Sequence, residues 1–316
     1  MDSVYIDKKG LSLDVQGLAL IVREKSEKTK SIPLATVKRI FLRGEVNYSA
    51  RLLAKLGDLG IGVVWLAGWH SKPTLFLPRP HHDATRRLRQ FAHYQNKAYR
   101  LAEAQEILRL KLEAQIQHLE NALIQYPESR YPLTHALKQL EPFRETLTRH
   151  TELNALMGWE GASAQIYYKA LGACFPSWVD FSGRNRRPPR DPANVLMSLA
   201  YTLLHAEAVL TAYGAGFDPD IGMLHAVSFN RESFACDLIE PLRPSADQWI
   251  AEKLHEGVFS AADFSIDEDS QACCFSKEGR LRFYAEWEKC APDLRNQLKA
   301  ICTAFLTRVE CRECNV

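Results

Sequence analysis

Between Pro80 and Pro127 the chain has neither proline nor glycine. A stretch lacking both breakers predicts helix. Unbroken, it would run on the order of 60 Å at 1.5 Å per residue, so one or more breaks are expected. Charge of one sign is also lacking: 40 basic against 38 acidic residues leave a formal net charge of +2, so bulk charge points to no polyanion. Cysteine is scarce in the first two thirds, since seven of the eight lie after residue 235. The opening Met1-Asp2-Ser3 leads into a strand-like run, not a basic stretch and an apolar core, so no secretory leader is expected. Free thiols and a cytoplasmic location follow as expectations. The most apolar helical run, Val195 to Leu210, is interrupted by His205 and Glu207, which argues against a membrane span. No internal repeat occurs.

What is present divides in two. Residues 1–80 read as a small β-rich domain. Val4-Tyr5-Ile6, Leu11-Ser12-Leu13, Leu18 to Val22, Val37 to Leu42, Gly62 to Leu66 and Thr74 to Leu77 are short runs of β-branched and apolar residues between turn-formers. One helix is expected from Ser49 to Leu59, and Pro78-Arg79-Pro80 makes a stiff hinge. Residues 81–316 read as a larger all-helical domain, which makes the fold class α+β. Leu88, Phe91, Ala92 and Gln95 open an amphipathic pattern that continues through Leu108, Leu112 and Leu119. Further helices are expected from about Leu153 to Leu171, from Asp191-Pro192 (N-cap and first-turn proline) to Tyr213-Gly214, and from Leu281 to Leu306. Asp263 to Ser270 reads as an acidic loop.

Three segments look built to deliver one ligand each. Glu160 lies on the Gly158 to Tyr168 stretch, where Gly161, Ala162 and Ala164 make a small-residue face for a neighbouring helix. His225 ends Gly216 to His225, rich in turn-formers. Glu240 follows Asp237 at i,i+3, a shared helical face, and Pro241 disfavours the α conformation at Glu240, placing it near a helix end. Two carboxylates and an imidazole suit Mg²⁺ or Mn²⁺ better than zinc, and such ions perform phosphoryl transfer. Glu240 is assigned to the ion and Asp237 to orienting a ligand from behind. Arg187 and Arg243 are the candidates for holding a phosphate backbone. Each residue also has a plainer reading: an isolated histidine after an apolar pair is usually a satisfied core residue, and a helical glutamate is usually solvated. The basic run Arg86, Arg87, Arg89, Lys97, Arg100, Arg109 and Lys111, and the compact Arg184, Arg186, Arg187 and Arg190, suit phosphates or solvent equally well.

At these segments the chain resembles the CRISPR-associated spacer integrase/endonuclease, the first-numbered Cas protein family. The resemblance is carried by the Glu160 helix with Tyr167-Tyr168, the block Asn185 to Ser198, Gly216 to His225, and Asp237 to Pro244, in order over residues 155–245. The Asn185 to Ser198 block, with its arginines, prolines and asparagines, is the most specific of these. The resemblance implies a metal-dependent DNA integrase and endonuclease of CRISPR adaptation, in which a protospacer 3′-hydroxyl attacks the repeat array. It implies Glu160, His225 and Glu240 as both the catalytic residues and the Mg²⁺ or Mn²⁺ ligands. The implied partners are double-stranded DNA, a second copy in a homodimer (the β-rich domain dimerising), and the second-numbered Cas protein in a heterohexameric complex, with no membrane. Gly161 stands where the family usually has alanine.

Two other functions share these residues: a transposon-associated integrase of the same fold, and a non-catalytic DNA-binding scaffold. Tyr167, Tyr168 and Tyr201 are expected to be packed aromatics, and Asn185 and Asn194 structural. Cys311-Arg312-Glu313-Cys314 has zinc-ligand spacing, with Cys273 and Cys274 as candidates to complete the set, but free thiols are the default.

Overall fold

A computed structural model of the chain describes residues 2–24, 27–66, 73–78 and 83–311. The chain divides into two compact units, residues 1–82 with 283–289, and residues 83–282 with 290–316. Compared with a break at residue 80, the difference is one short stretch of the final helix, which packs with the first unit. Arg79 and Pro80 of the expected hinge lie outside the described residues.

The first unit holds β1 (Ser3–Asp7), β2 (Leu11–Gln16), β3 (Ala19–Glu24), β4 (Glu27–Pro33), β5 (Arg39–Arg43), β6 (Val46–Tyr48), α1 (Ala50–Asp58), β7 (Gly62–Trp65) and β8 (Thr74–Phe76). One sheet runs β1-β5-β7-β8, parallel except for β7/β8, and another runs β4-β3-β2-β6. Along β2, Leu11, Leu13 and Val15 are buried and the alternate residues face out, the two-residue period of a half-buried strand. A two-residue loop joins Gln16 to Ala19, and Gly17 takes φ +60° there. Leu13, Leu20, Ile40, Leu42, Leu52, Leu56 and Val63 meet in a common core. Tyr5 stacks on Phe41 and on Tyr284 and donates to Glu288 at 2.7 Å, which ties residues 283–289 to this unit. Strands β4 and β6 escaped the sequence reading: β4 is largely polar, with Lys28 and Lys30, as suits a strand at a sheet edge.

The second unit holds α2 (Thr85–Gln95), α3 (Lys97–Gln125), α4 (Arg130–Thr146), α5 (Leu153–Leu171), α6 (Pro192–Gly214), α7 (Ser233–Ile239), α8 (Arg243–His255), β9 (Phe264–Ile266), β10 (Cys273–Phe275) and most of α9 (Lys277–Cys311). The expected break falls at Asn96, whose side chain caps α3 by accepting from the Tyr99 N–H. Asp191 caps α6 through the Asn194 N–H, with Pro192 in the first turn. Helix α6 is long and apolar enough to cross a membrane, yet most of it is buried within this unit, so its apolar surface serves the core. Its buried Glu207 is paired with Arg295 of α9 at 2.9 Å.

Three expectations fail here. The mostly helical unit carries one small strand pair: β9 falls inside the Asp263 to Ser270 segment read as a loop and pairs antiparallel with β10 beyond it, beside buried Asp263 in a capping box with Ser260. On α2, Leu88 and Phe91 are exposed while Gln90 and His93 are buried. The reason is polar: the Gln90 amide donates to the carbonyls of Asp218 and Ile221 and accepts the Asp218 N–H. The small-residue face of α5 is not closely packed at Gly161 and Ala162, which are exposed, and a methyl group on Gly161 would find open space. That helix packs instead through Leu156, Trp159, Ser163, Tyr167 and Ala170.

Candidate active site

The segment preceding His225 is held from three sides. Gln90 clamps it at Asp218 and Ile221, and the Arg100 Nε donates to the Met223 carbonyl at 2.9 Å. The third hold comes from Asp237 on α7. One of its oxygens accepts the N–H groups of Met223 (2.5 Å) and Leu224 (3.0 Å), and the other accepts the N–H of His225 (3.0 Å). That second oxygen also faces His225 Nδ1 at 2.7 Å. Gly222 makes this packing possible, because a Cβ there would sit 2.7 Å from the Ser233 carbonyl group. Asp237 is buried and fully engaged, so it fixes the imidazole and leaves Nε2 as the nitrogen free to take a ligand.

Glu240 points elsewhere. Helix α7 ends at Ile239 and a short 3₁₀ turn, Glu240–Leu242, leads into α8. Contrary to expectation, Glu240 keeps right-handed helical angles (φ −53°, ψ −46°) despite Pro241, because the chain continues helically across the junction. Asp237 and Glu240 therefore serve different partners. One Glu240 oxygen pairs with Arg243 at 3.0 Å and the other with Lys111 of α3 at 2.6 Å. The same Lys111 ammonium contacts Glu160 of α5 at 2.5 Å. Carboxylates from two separate elements thus close on one cation.

The electrostatics follow from burial. Burial alone would favour a neutral Glu240, yet Arg243, Lys111 and His225 hold its carboxyl down at about 2. Burial works against the charge on Lys111 too, and the attraction of Glu240 and Glu160 overrides it, leaving the ammonium above its usual value. Arg243 is mostly buried beside Glu240 and lies 4.8 Å over the Tyr201 ring. Arg187, by contrast, is exposed.

Two of the three predicted ligands are thus brought together around Lys111, and His225 stands within electrostatic reach of Glu240. Among the described residues no group of three or more His, Cys, Asp or Glu side chains is gathered tightly enough to enclose an ion. The donor chemistry nonetheless fits a hard divalent cation: two carboxylate oxygens already converge on one positive charge. The cysteines give no such convergence where they are described, and Cys314 lies outside the described residues.

Of the basic run on α2 and α3, Arg86, Arg109 and Lys111 are engaged within the fold, whereas Arg89 and Lys97 are exposed. Arg86 pairs with Glu310 and donates to the Ala215 carbonyl, Arg109 pairs with Glu106 and Glu113, and Lys111 is in the site. Arg184 is likewise internal, donating to Asn194 and Ser198, and Asn194 and Asn185 tie their own loop together. Lys111 is the residue that sequence reasoning missed. Its signal was position, because it falls on the buried α3 stripe with Leu108, Leu112, Gln115 and Leu119.

Beside the site lies a second polar group. Buried Asp247 of α8 accepts from Tyr201 (2.5 Å) and Tyr167 (3.0 Å). Since Tyr167 gives its proton to Asp247, His118 Nδ1 at 2.8 Å must donate to the Tyr167 oxygen. The two tyrosines are therefore packed and hydrogen-bonded, as the sequence suggested.

The sequence profile of the family described as CRISPR associated protein Cas1 matches residues 4–289. A CRISPR-associated endonuclease Cas1 of Thermodesulfovibrio yellowstonii is 30% identical over 98% of this chain and 97% of its own length. Among solved structures, a Cas1 protein from Thermotoga maritima superposes with a TM-score of 0.86 at 24% identity, covering 100% and 99% of the two chains. A casposase bound to integration product gives 0.83 at 20% identity, over 99% and 92%. A chain of a Cas6-RT-Cas1–Cas2 complex gives 0.82 at 23% identity, over 98% of this chain and 35% of that one.

Proposed function

Because the chain belongs to the CRISPR-associated Cas1 family, we propose that it is a metal-dependent DNA integrase and endonuclease of CRISPR adaptation. In this role it joins protospacer 3′-hydroxyl ends to a repeat array by transesterification. The observation that carries the proposal is the convergence of Glu160 and Glu240, from different helical elements, on a single cationic point.

Glu160, Glu240 and His225 Nε2 would hold Mg²⁺ or Mn²⁺. When bound, such an ion supplies Lewis-acid stabilisation of the phosphodiester and helps activate the attacking hydroxyl. The chain's own residues do the positioning. Asp237 fixes the tautomer and direction of His225, and Arg243 holds the far oxygen of Glu240 while the other meets Lys111, which also contacts Glu160. Arg187, exposed on the Asn185 to Ser198 block, would contact DNA phosphate. The small exposure of Arg243 and its pairing with Glu240 suit it to holding that carboxylate rather than reaching a backbone in solution.

The proposed partners are duplex DNA, a second copy of the chain through the β-rich unit, and a Cas2-type subunit such as the one in the Cas6-RT-Cas1–Cas2 complex. The proposed location is the cytoplasm.

The test is strand transfer. Protein with and without its partner subunit is mixed with Mn²⁺, a short duplex bearing free 3′-hydroxyls and a supercoiled plasmid carrying a repeat array. Joined products that vanish in Glu160→Ala and His225→Ala support the function and the site together. DNA binding without joining or cleavage under any metal would replace it with the scaffold role.

A further inference from the structure

We propose that Lys111 is a resident counter-ion of the candidate metal site: its ammonium holds Glu160 and Glu240 together in the ion-free protein, and a divalent cation must displace it to bind. The inference rests on the proposed role of those two glutamates as metal ligands and adds what governs the site's affinity.

The geometry separates two positive groups by task. On Glu240, Arg243 takes one oxygen at 3.0 Å and Lys111 the other at 2.6 Å. Only the Lys111 side is shared with Glu160, whose oxygen lies 2.5 Å from the same nitrogen. Lys111 thus marks the point on which the two carboxylates aim, while Arg243 stays on the flank. Two carboxylates cannot both remain charged at close quarters inside a protein without a cation or a proton between them. Lys111 meets that need with a side chain only 8% exposed, reaching from the middle of α3.

An ammonium and a divalent ion cannot occupy one point. Ion entry is therefore an exchange, in which the lysine's flexible four-carbon stem lets the head group withdraw. Whatever free energy the ammonium contributes to the ion-free state is subtracted from ion affinity, as for any ligand whose competent state is only partly populated. Lys111 then makes the site stable when empty and selective for ions at high enough concentration to compete. It is a positioning residue, acting through the two glutamates.

The experiment uses the full chain and Mn²⁺ alone, without DNA. Free Mn²⁺ is counted by electron paramagnetic resonance, and thermal unfolding is followed with and without the ion. The proteins are wild type, Lys111→Gln, Lys111→Met and Glu160→Ala. Removing the ammonium is expected to tighten Mn²⁺ binding about tenfold or more. It is also expected to lower the ion-free Tm, with saturating Mn²⁺ restoring it. Lys111→Gln keeps a neutral donor to one carboxylate, so it reports on affinity even where Lys111→Met folds only with the ion, an outcome that itself supports the proposal. Unchanged or weaker binding in Lys111→Gln, with binding abolished in Glu160→Ala, overturns the proposal and leaves the metal site standing. Unchanged binding in Glu160→Ala overturns the metal site, and the counter-ion role with it.

Discussion

Asp237 holds His225 at two points with one oxygen, accepting its backbone N–H at 3.0 Å and facing its Nδ1 at 2.7 Å. Its other oxygen accepts the N–H groups of Met223 and Leu224. A single carboxylate therefore sets both the path of the chain and the direction of the imidazole.

Asp237→Asn puts an amide NH₂ among four donors. Strand transfer is expected to fall about 10- to 100-fold, the usual cost of losing a group that orients a metal ligand. The check is the rate at saturating Mn²⁺ measured beside Tm. A lowered Tm with an unchanged rate would confine Asp237 to a structural role.

Gly222→Ala forces a Cβ to within 2.7 Å of the Ser233 carbonyl carbon and oxygen and 2.8 Å of the His225 oxygen. All three neighbours are backbone and have little room to move. A loss of about 1–3 kcal/mol is expected, seen as a lower urea midpoint with an unchanged slope.

The two arginines singled out by sequence are expected to behave differently. Arg187→Ala, on the surface, should leave stability within about 0.5 kcal/mol. It should also reduce the slope of log affinity against log salt by about 1 for duplex DNA. Arg243→Met breaks a buried pair with Glu240 and should cost about 3 kcal/mol, the low end of such losses because Lys111 remains. Equal effects of both on salt dependence, with no loss of stability, would make Arg243 a phosphate contact instead.

The Asp247 network predicts opposed pH dependences. Burial pushes His118 down to about 4 from 6.5, so the stability of its neutral form is complete above pH 6.5 and lost as pH falls toward 4. Burial pushes Asp247 up to about 6 from 3.8, against the hydrogen bonds from Tyr201 and Tyr167. Its contribution is present below pH 3.8 and lost as pH rises through 6. Between about 4 and 6 the two oppose each other. His118→Gln should therefore leave a stability that falls with rising pH in that window, and Asp247→Asn one that rises. Urea midpoints measured across the window decide it, and identical slopes in the two variants would sink the assignment.

Much of this protein is legible in one dimension. The break-free run after residue 83, the Asp191-Pro192 start of α6 and the alternation along β2 are local patterns, and they set out the helical and strand-rich halves. The sequence also sets which residue types stand in the Glu160, His225 and Glu240 segments. What needed the tertiary structure was every choice between equivalent local options. Leu88 and Phe91 made a good apolar face for α2, but three backbone groups around Asp218 needed a partner, so Gln90 turned inward instead. Polar β4 became a strand because β3 offered it an edge to pair with. Lys111 looked like one more member of a basic run until α3 carried it between carboxylates 49 and 129 residues further along the chain. Ion pairing depends on distance in space and on dielectric, and neither is written along the chain.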